Sequence, residues 1–270
     1  ITGHTGFKGA WLTYLLDKHG AIVKGYSLEP NTRPSLFEKI IFSSNFSFEF
    51  SDILDYERFS DSIVAFQPDY IFHMAAQPLV IDSYHDPTAT FSTNVLGTLN
   101  LLEIIRKTEI QATVVIITTD KVYENLELNR AFEEEDKLGG HDPYSASKAA
   151  AEIISHSYRS SFFHTGNTRI ATARAGNVIG GGDWSKDRLI PDIIRSFVDK
   201  EKLEIRNPQA TRPWQHVLEP LNGYLKLALA IEREANLQGG WNFGPEIKDV
   251  ASVKDIVETT LKLGFVAKVD

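Results

Sequence analysis

Two short clusters hold side chains that could move protons: Thr119-Asp120-Lys121, and Tyr144 with Lys148 in the run Tyr-Ser-Ala-Ser-Lys. A carboxyl group, an amine and a phenol near one another suggest redox chemistry joined to an elimination. Asp142 and Pro143 read as the N-cap and first residue of a helix, which puts Tyr144 and Lys148 one turn apart on one face. An ammonium at that distance favours the phenolate and draws the tyrosine below its reference pKa of about 10. Spacing alone does not identify the pair, because Tyr14 and Lys18 repeat it inside the first helical stretch. Context separates them, since Thr119 ends the apolar run Thr113 to Thr118 and its hydroxyl could share a substrate oxygen. Asp120 as a general acid requires a raised pKa. Lys121 as a base requires a lowered one, because a free lysine near 10.4 is almost wholly protonated at neutral pH. Positive Lys148 and exclusion of water could supply that shift. The plainer readings are that Lys121 holds a ribose or phosphate and that Asp120 caps the next turn.

Those side chains need a frame, and the chain opens with one. Gly3, Gly6 and Gly9 follow the spacing G-x-x-G-x-x-G, and Trp11, Leu12, Leu15 and Leu16 continue it as a helix that ends at Gly20. Glycine at such positions permits a tight turn, lets backbone N–H groups reach a pyrophosphate, and packs the helix closely on a sheet. Ala21 to Ser27 follows as a strand. Only Ile1 and Thr2 stand where the first strand belongs, so the numbered chain is expected to lack most of that strand and some of its far end. The acidic residue that would hold a ribose 2′-hydroxyl is missing from Tyr26-Ser27-Leu28, which leaves NAD and NADP both open. Arg33 could accept a 2′-phosphate, and Arg33-Pro34 reads equally well as an exposed turn.

Further strand-like runs occur at Phe46 to Phe50, Tyr70 to Met74, Thr113 to Thr118 and Arg169 to Ala173, separated by amphipathic stretches. This alternation predicts an α/β fold, a doubly wound parallel sheet of the Rossmann type. Ligands of such sheets bind beyond the carboxyl ends of the strands. After residue 176 the composition shifts to Gly180-Gly181-Gly182, Trp184, an arginine-bearing stretch through Arg188, Arg195 and Arg206, and Thr211 to His216. The expected organisation is a dinucleotide-binding domain over 1–175, with 215–240 returning to it, and a substrate lobe from 176–214 and 241–270. A helix over Glu219 to Glu234 should turn Leu221, Leu225, Ala228 and Leu229 inward. The chain has 270 residues, no cysteine and a net charge of −8. Disulfides, thiolate metal sites and cysteine nucleophiles are thereby excluded, and a nucleic-acid partner is disfavoured. No stretch is long and apolar enough to span a membrane. No metal site is expected, and a cytoplasmic setting is.

Taken together, these residues resemble the extended short-chain dehydrogenase/reductase family over almost the whole chain. The segments that carry the resemblance are Gly3 to Gly9, Thr119-Asp-Lys-Val-Tyr123, Pro143 to Lys148, Arg174-Ala-Gly-Asn-Val-Ile-Gly-Gly-Gly-Asp-Trp184 and Arg212-Pro-Trp-Gln-His-Val-Leu-Glu-Pro220. Within the family they are similar to the sugar-nucleotide 4,6-dehydratases. Lys121, where dTDP-sugar relatives carry Glu, implies CDP-glucose as substrate. The resemblance further implies NAD as cofactor, held by Gly3, Thr5, Gly6, Phe7, Lys8, Gly9, Asp52, Ile53, Ala75, Ala76, Gln77, Tyr144 and Lys148. It assigns Gln77, Asn177, Arg188 and Arg212 to the substrate. The implied mechanism oxidises C4 with Tyr144, Lys148 and Thr119, removes the acidified C5 proton with Lys121, and expels the C6 hydroxyl with help from Asp120. Hydride then returns to C6. Trp214 and His216 read as a core tryptophan beside a hydrogen-bonded histidine that could shape the same region. Two long helical stretches, Asp86 to Lys107 and Pro143 to Arg159, imply a homodimer, and the product would feed deoxysugar synthesis for a bacterial O-antigen. A nucleotide-sugar epimerase or dehydratase for another base, and a non-catalytic cofactor sensor, remain as alternatives.

Overall fold

The computed structural model describes residues 1–126, 130–200, 202–203, 205 and 207–264, with the backbone of 268–269. Arg206 lies outside the described residues. Helix α1 (Phe7–Lys18) leads to the parallel pair β1 (Val23–Ser27) and β2 (Phe46–Phe50), then α2 (Tyr56–Phe66) and β3 (Tyr70–His73). Next come α3 (Val80–His85), α4 (Pro87–Phe91), a π-helical turn at Ser92–Leu96, α5 (Gly97–Thr108), β4 (Thr113–Ile117), α6 (Pro143–Ser161) and β5 (Arg169–Ala175). The expected Asp86–Lys107 stretch is therefore helical from Pro87 on, with a π-helical turn between α4 and α5. Asp86 caps α4 by accepting the Ala89 N–H.

Thr2 fills the expected place of a first strand, bridging Tyr26 on one side and His73 on the other. The parallel order runs β2, β1, Thr2, β3, β4, β5 and then β10 (Gly240–Phe243). The order of connection reverses around Thr2, which is where a doubly wound sheet opens its ligand crevice. Every residue of β4 is buried, as a central strand covered on both faces requires. Alternation along β4 splits the core. Val114 and Ile116 pack with Phe59, Leu101, Leu102, Ile104 and Ile105, while Val115 and Ile117 pack with Leu12, Leu221, Tyr224 and Ile231.

The second layer is closed by α8 (Leu218–Arg233), which arrives after β6 (Val178–Ile179), α7 (Leu189–Asp199), β7 (Lys202–Leu203), β8 (Thr211–Arg212) and β9 (Gln215–His216). Its buried face is Leu221, Tyr224, Leu227, Ala228 and Ile231, and Leu229 is 46% exposed. The expected inward turn of Leu229 is thus corrected: with Tyr224 and Ile231 anchoring the stripe, residue 229 falls on the far side of the helix. The large sheet also takes in residues to Phe243, past the boundary expected at 240. The pair β8 and β11 (Ala251–Ser252), α9 (Val253–Lys262), and β12 (Lys268–Val269) beside β7 build the smaller lobe. Ile193, Leu203 and Val257 form a small core of their own there.

Candidate active site

At the entry to α1, two of the three glycines are fixed by geometry that a side chain would violate. Gly3 has φ +73°, and a Cβ there would lie 2.7 Å from the Ala75 nitrogen; one on Gly9 would lie 2.0 Å from the Gly3 carbonyl. Gly6 is the N-cap residue without any side-chain cap, and the first turn holds no acidic residue. The first-turn N–H groups are therefore open to an anion, and the cradle fits a dinucleotide pyrophosphate. Ala75 closes against this turn through its N–H to the Thr2 hydroxyl at 3.1 Å, with Ala76 following it. Thr5 is committed to the end of β1, bonding the Ser27 hydroxyl and the Leu28 carbonyl, each at 2.9 Å. Ser27, where an acidic residue was sought, is occupied by that contact. Arg33 is exposed.

At the adenine-side positions, Asp52 caps its own turn by accepting the Leu54 N–H at 2.9 Å. Ile53 is a core residue, against which a Cβ on Gly97 would collide at 2.2 Å. Gln77 needs correction as a hexose contact. Its amide is bonded to the Leu79 backbone and the Thr90 hydroxyl, because the tight turn after β3 consumes both polar ends of the side chain. Asn94, which the sequence reading missed, holds that turn. It accepts the Gln77 N–H at 2.8 Å, donates to the Gln77 carbonyl at 3.1 Å, and donates to the Ser147 hydroxyl on α6 at 2.9 Å. A polar residue inside an apolar helical pattern was the available signal, and the π-helical turn is what directs it inward.

The proton-moving groups converge on one cleft of about 530 Å³ beyond the carboxyl ends of β4 and β5. Its walls include Phe7, Lys8, Thr119, Asp120, Lys121, Tyr144, Asn177, Arg188, Arg212 and Trp214. Asp142 caps α6 through the Ser145 N–H at 2.9 Å, so Tyr144 reaches the cleft from the first turn, while Lys148, one turn on, is buried and lies outside its walls. The other pair with this spacing does something different: the Lys18 ammonium lies 5.4 Å from the Tyr14 ring centre, within α1. Thr119 donates to Asp120 at 3.1 Å, and the Lys121 ammonium stands 6.0 Å from the Tyr144 ring centre. His216 is exposed and accepts the Leu218 N–H, so of the Trp214–His216 pair only the tryptophan lines the cleft.

Burial governs the electrostatics. Asp120 is raised above the ordinary carboxylate range by desolvation, against the pull of Lys121, Thr119, Arg212 and Lys8. That is the direction a general acid needs. The Tyr144 phenol is pushed up to about 12 by burial, with the Thr119 hydrogen bond and Arg188 opposing. The expected lowering of Tyr144 is therefore overridden by burial, and the groups that oppose burial are Thr119 and Arg188 rather than Lys148. Desolvation carries Lys148 down to about 7, and its ammonium donates to the Ile117 carbonyl at 3.0 Å. Lys8 falls to about 8 for the same reason, reinforced by Arg188. Lys121 stays exposed, so the smaller lobe does not shield it from water in this arrangement. Arg188 is steered by Asp183, a buried carboxylate 3.1 Å away that the sequence reading had not singled out. Arg212 is exposed at the cleft edge.

Comparison with known proteins agrees with this construction. A family model described as GDP-mannose 4,6 dehydratase matches residues 1–242. CDP-glucose 4,6-dehydratase of Salmonella typhimurium (strain LT2) is 49% identical over 97% of this chain and 75% of its own length. A dTDP-D-glucose 4,6-dehydratase of Dictyostelium discoideum is 26% identical over 97% of this chain and 62% of its own. Among solved structures, the UDP-glucose 4-epimerase of Thermus thermophilus, a complex with NAD, superposes with a TM-score of 0.84 at 24% identity, covering 100% of this chain and 84% of that one. The last likeness speaks for the Rossmann-type fold. Together with the glycine cradle, the Thr after β4 and the Tyr and Lys of α6, the family model and the 49% identical relative establish that the chain belongs to the GDP-mannose 4,6 dehydratase family of NAD-dependent epimerases and dehydratases, within the extended short-chain dehydrogenase/reductases.

Proposed function

We propose that this protein is a sugar-nucleotide 4,6-dehydratase that converts CDP-glucose to CDP-4-keto-6-deoxyglucose with NAD as a recycled cofactor. The observation that carries the proposal is the convergence of Asp120, Lys121 and Tyr144 on one cleft, an acid, an amine and a phenol where an epimerase would need the phenol alone. The 49% identity to the Salmonella CDP-glucose enzyme supports the choice of base. Bound NAD would supply the acceptor for the C4 hydride and the donor for its return to C6. The glycine cradle would hold its pyrophosphate, with Asp52, Ala75 and Ala76 along the cofactor path.

Tyr144, drawn to phenolate against its burial by Thr119, Lys148 and the positive charge that bound NAD would supply, takes the proton of the 4-hydroxyl. Once C4 is a ketone, the C5 hydrogen is acidic, and Lys121 removes it. Asp120, whose carboxyl burial raises in the direction a general acid needs, delivers a proton to the C6 oxygen, which leaves as water. Protonation at C5 completes the 4-keto-6-deoxy sugar, with no net oxidation. Arg188 and Arg212 offer planar forks suited to the diphosphate, and Asn177 lies beside them on the cleft wall.

Exposed Phe91 and Leu96 on the α4–π turn–α5 stretch and exposed Ile153 on α6 leave an apolar surface suited to a homodimer. Among the described residues no helix is long and apolar enough to cross a membrane. A cytoplasmic enzyme serving deoxysugar synthesis, as in O-antigen assembly, fits this reading. The test is incubation of the NAD-loaded protein with CDP-glucose, dTDP-glucose, UDP-glucose and GDP-mannose, with products identified by NMR. A 4-keto-6-deoxy product from CDP-glucose is expected; turnover of another nucleotide sugar alone, or 4-epimerisation, refutes the proposal.

A further inference from the structure

Beneath the cleft lies a polar cluster that the reaction itself does not use. Glu152 sits one helical turn after Lys148 on α6 and is 4% exposed. One carboxylate oxygen accepts the Thr118 hydroxyl at 2.5 Å; the other accepts the Thr172 hydroxyl at 2.6 Å and the Arg174 guanidinium at 2.9 Å. Thr118 directly precedes Thr119. The same guanidinium reaches the Tyr123 hydroxyl at 2.7 Å and the Glu134 carbonyl at 2.9 Å. Tyr123 donates onward to Asn242 at 2.7 Å. Catalytic helix, the ends of β4 and β5, and the turn carrying Asp120 and Lys121 are thus tied to a single buried ion pair.

We propose that Glu152, held by Arg174, is the positioning residue of this centre, fixing α6 against the strand ends and setting a carboxylate against the charge that Lys8 imposes on Lys148. The inference rests on the reading that Lys148 must stay cationic to assist Tyr144. Desolvation and Lys8 both disfavour that cation, and Glu152 is the group that favours it. The remaining neighbours of Lys148 are the Ile117 carbonyl on β4, His73 on β3, and Tyr144 on its own helix. Glu152 in turn faces Arg174 on β5 and acts on Arg159 of α6. Burying the pair keeps the orientation rigid, because every oxygen of Glu152 is occupied.

The test follows kcat/KM for CDP-glucose against pH in NAD-loaded full chain, alongside NMR titration of ζ-15N-labelled lysines, with Lys148 assigned by its Lys148→Met variant. Glu152→Gln removes the favourable charge, so the alkaline limb and the Lys148 titration move down by about one pH unit. Glu152→Asp keeps the charge and holds both near the wild-type position. A downward displacement in Glu152→Gln that is absent from Glu152→Asp is the signature, since mere loosening of the fold would lower rates in both variants with the limb unmoved, and that result overturns the proposal. Should Glu152→Gln fail to fold, Lys8→Met decides: it removes the charge that Glu152 is set against, the Lys148 titration moves up, and an unmoved titration overturns the proposal equally. If wild type turns over no sugar nucleotide while the Lys148 titration still moves down in Glu152→Gln, the functional reading fails and the role of Glu152 stands.

Discussion

Replacing Lys121 by methionine separates the two halves of the proposed reaction. Lys121 is exposed, and its ammonium lies 6.0 Å from the Tyr144 ring centre. A surface substitution of this kind changes stability by no more than about 0.5 kcal/mol. Its backbone N–H to the Thr119 hydroxyl does not depend on the side chain. Tyr144, Thr119 and Lys148 therefore stay in place, and oxidation at C4 proceeds. C5 is bonded to C4, so the base for C5 must approach the same phenol, as this lysine does. Loss of one general base costs up to ~10⁴-fold, or about 5.4 kcal/mol of barrier on the C5 step. In a single turnover with CDP-glucose, absorbance of reduced cofactor should rise and persist, and the C5 hydrogen should not exchange with deuterated solvent. Tyr144→Phe should show no such rise. Product formation or C5 exchange within a few-fold of wild type in Lys121→Met would refute the reasoning and make Lys121 a binding residue.

Gly9→Ala should destroy either folding or NAD binding, read by thermal melting and calorimetric titration, because its Cβ would lie 2.0 Å from the Gly3 carbonyl. Acidification should destabilise the protein through His4 and His73, both buried and lowered from 6.5 to about 3. Their unfolded forms bind protons that the folded forms refuse, so stability is complete above pH 6.5 and is lost as pH falls toward 3. The slope of urea-unfolding free energy should approach about 2.7 kcal/mol per pH unit for the two groups below pH 6, and a flat profile between pH 6.5 and 5 would contradict it. Ile153→Glu on α6 should give a monomer in light scattering where wild type gives a dimer; a wild-type monomer at micromolar concentration removes the assembly.

The doubly wound fold, the dinucleotide cradle and the Thr, Tyr and Lys constellation were legible in the chain because each rests on local rules. Periodicity marks strands and helices, glycine marks a turn that excludes Cβ, and Asp142-Pro143 marks a helix start. The positions brought to the cleft, Thr119, Asp120, Lys121, Tyr144, Asn177, Arg188 and Arg212, could be named from spacing and resemblance. Long-range geometry decided the rest. Gln77 was read toward the sugar, but the turn after β3 and Asn94 on a π-helical turn absorb it. Leu229 was read inward, yet the stripe around Tyr224 rotates it out. Tyr144 was given a phenol lowered by lysine, whereas enclosure by the two lobes raises it. Desolvation and buried partners such as Glu152 with Arg174 depend on which distant segments meet, and that information appears only once the sheet has closed.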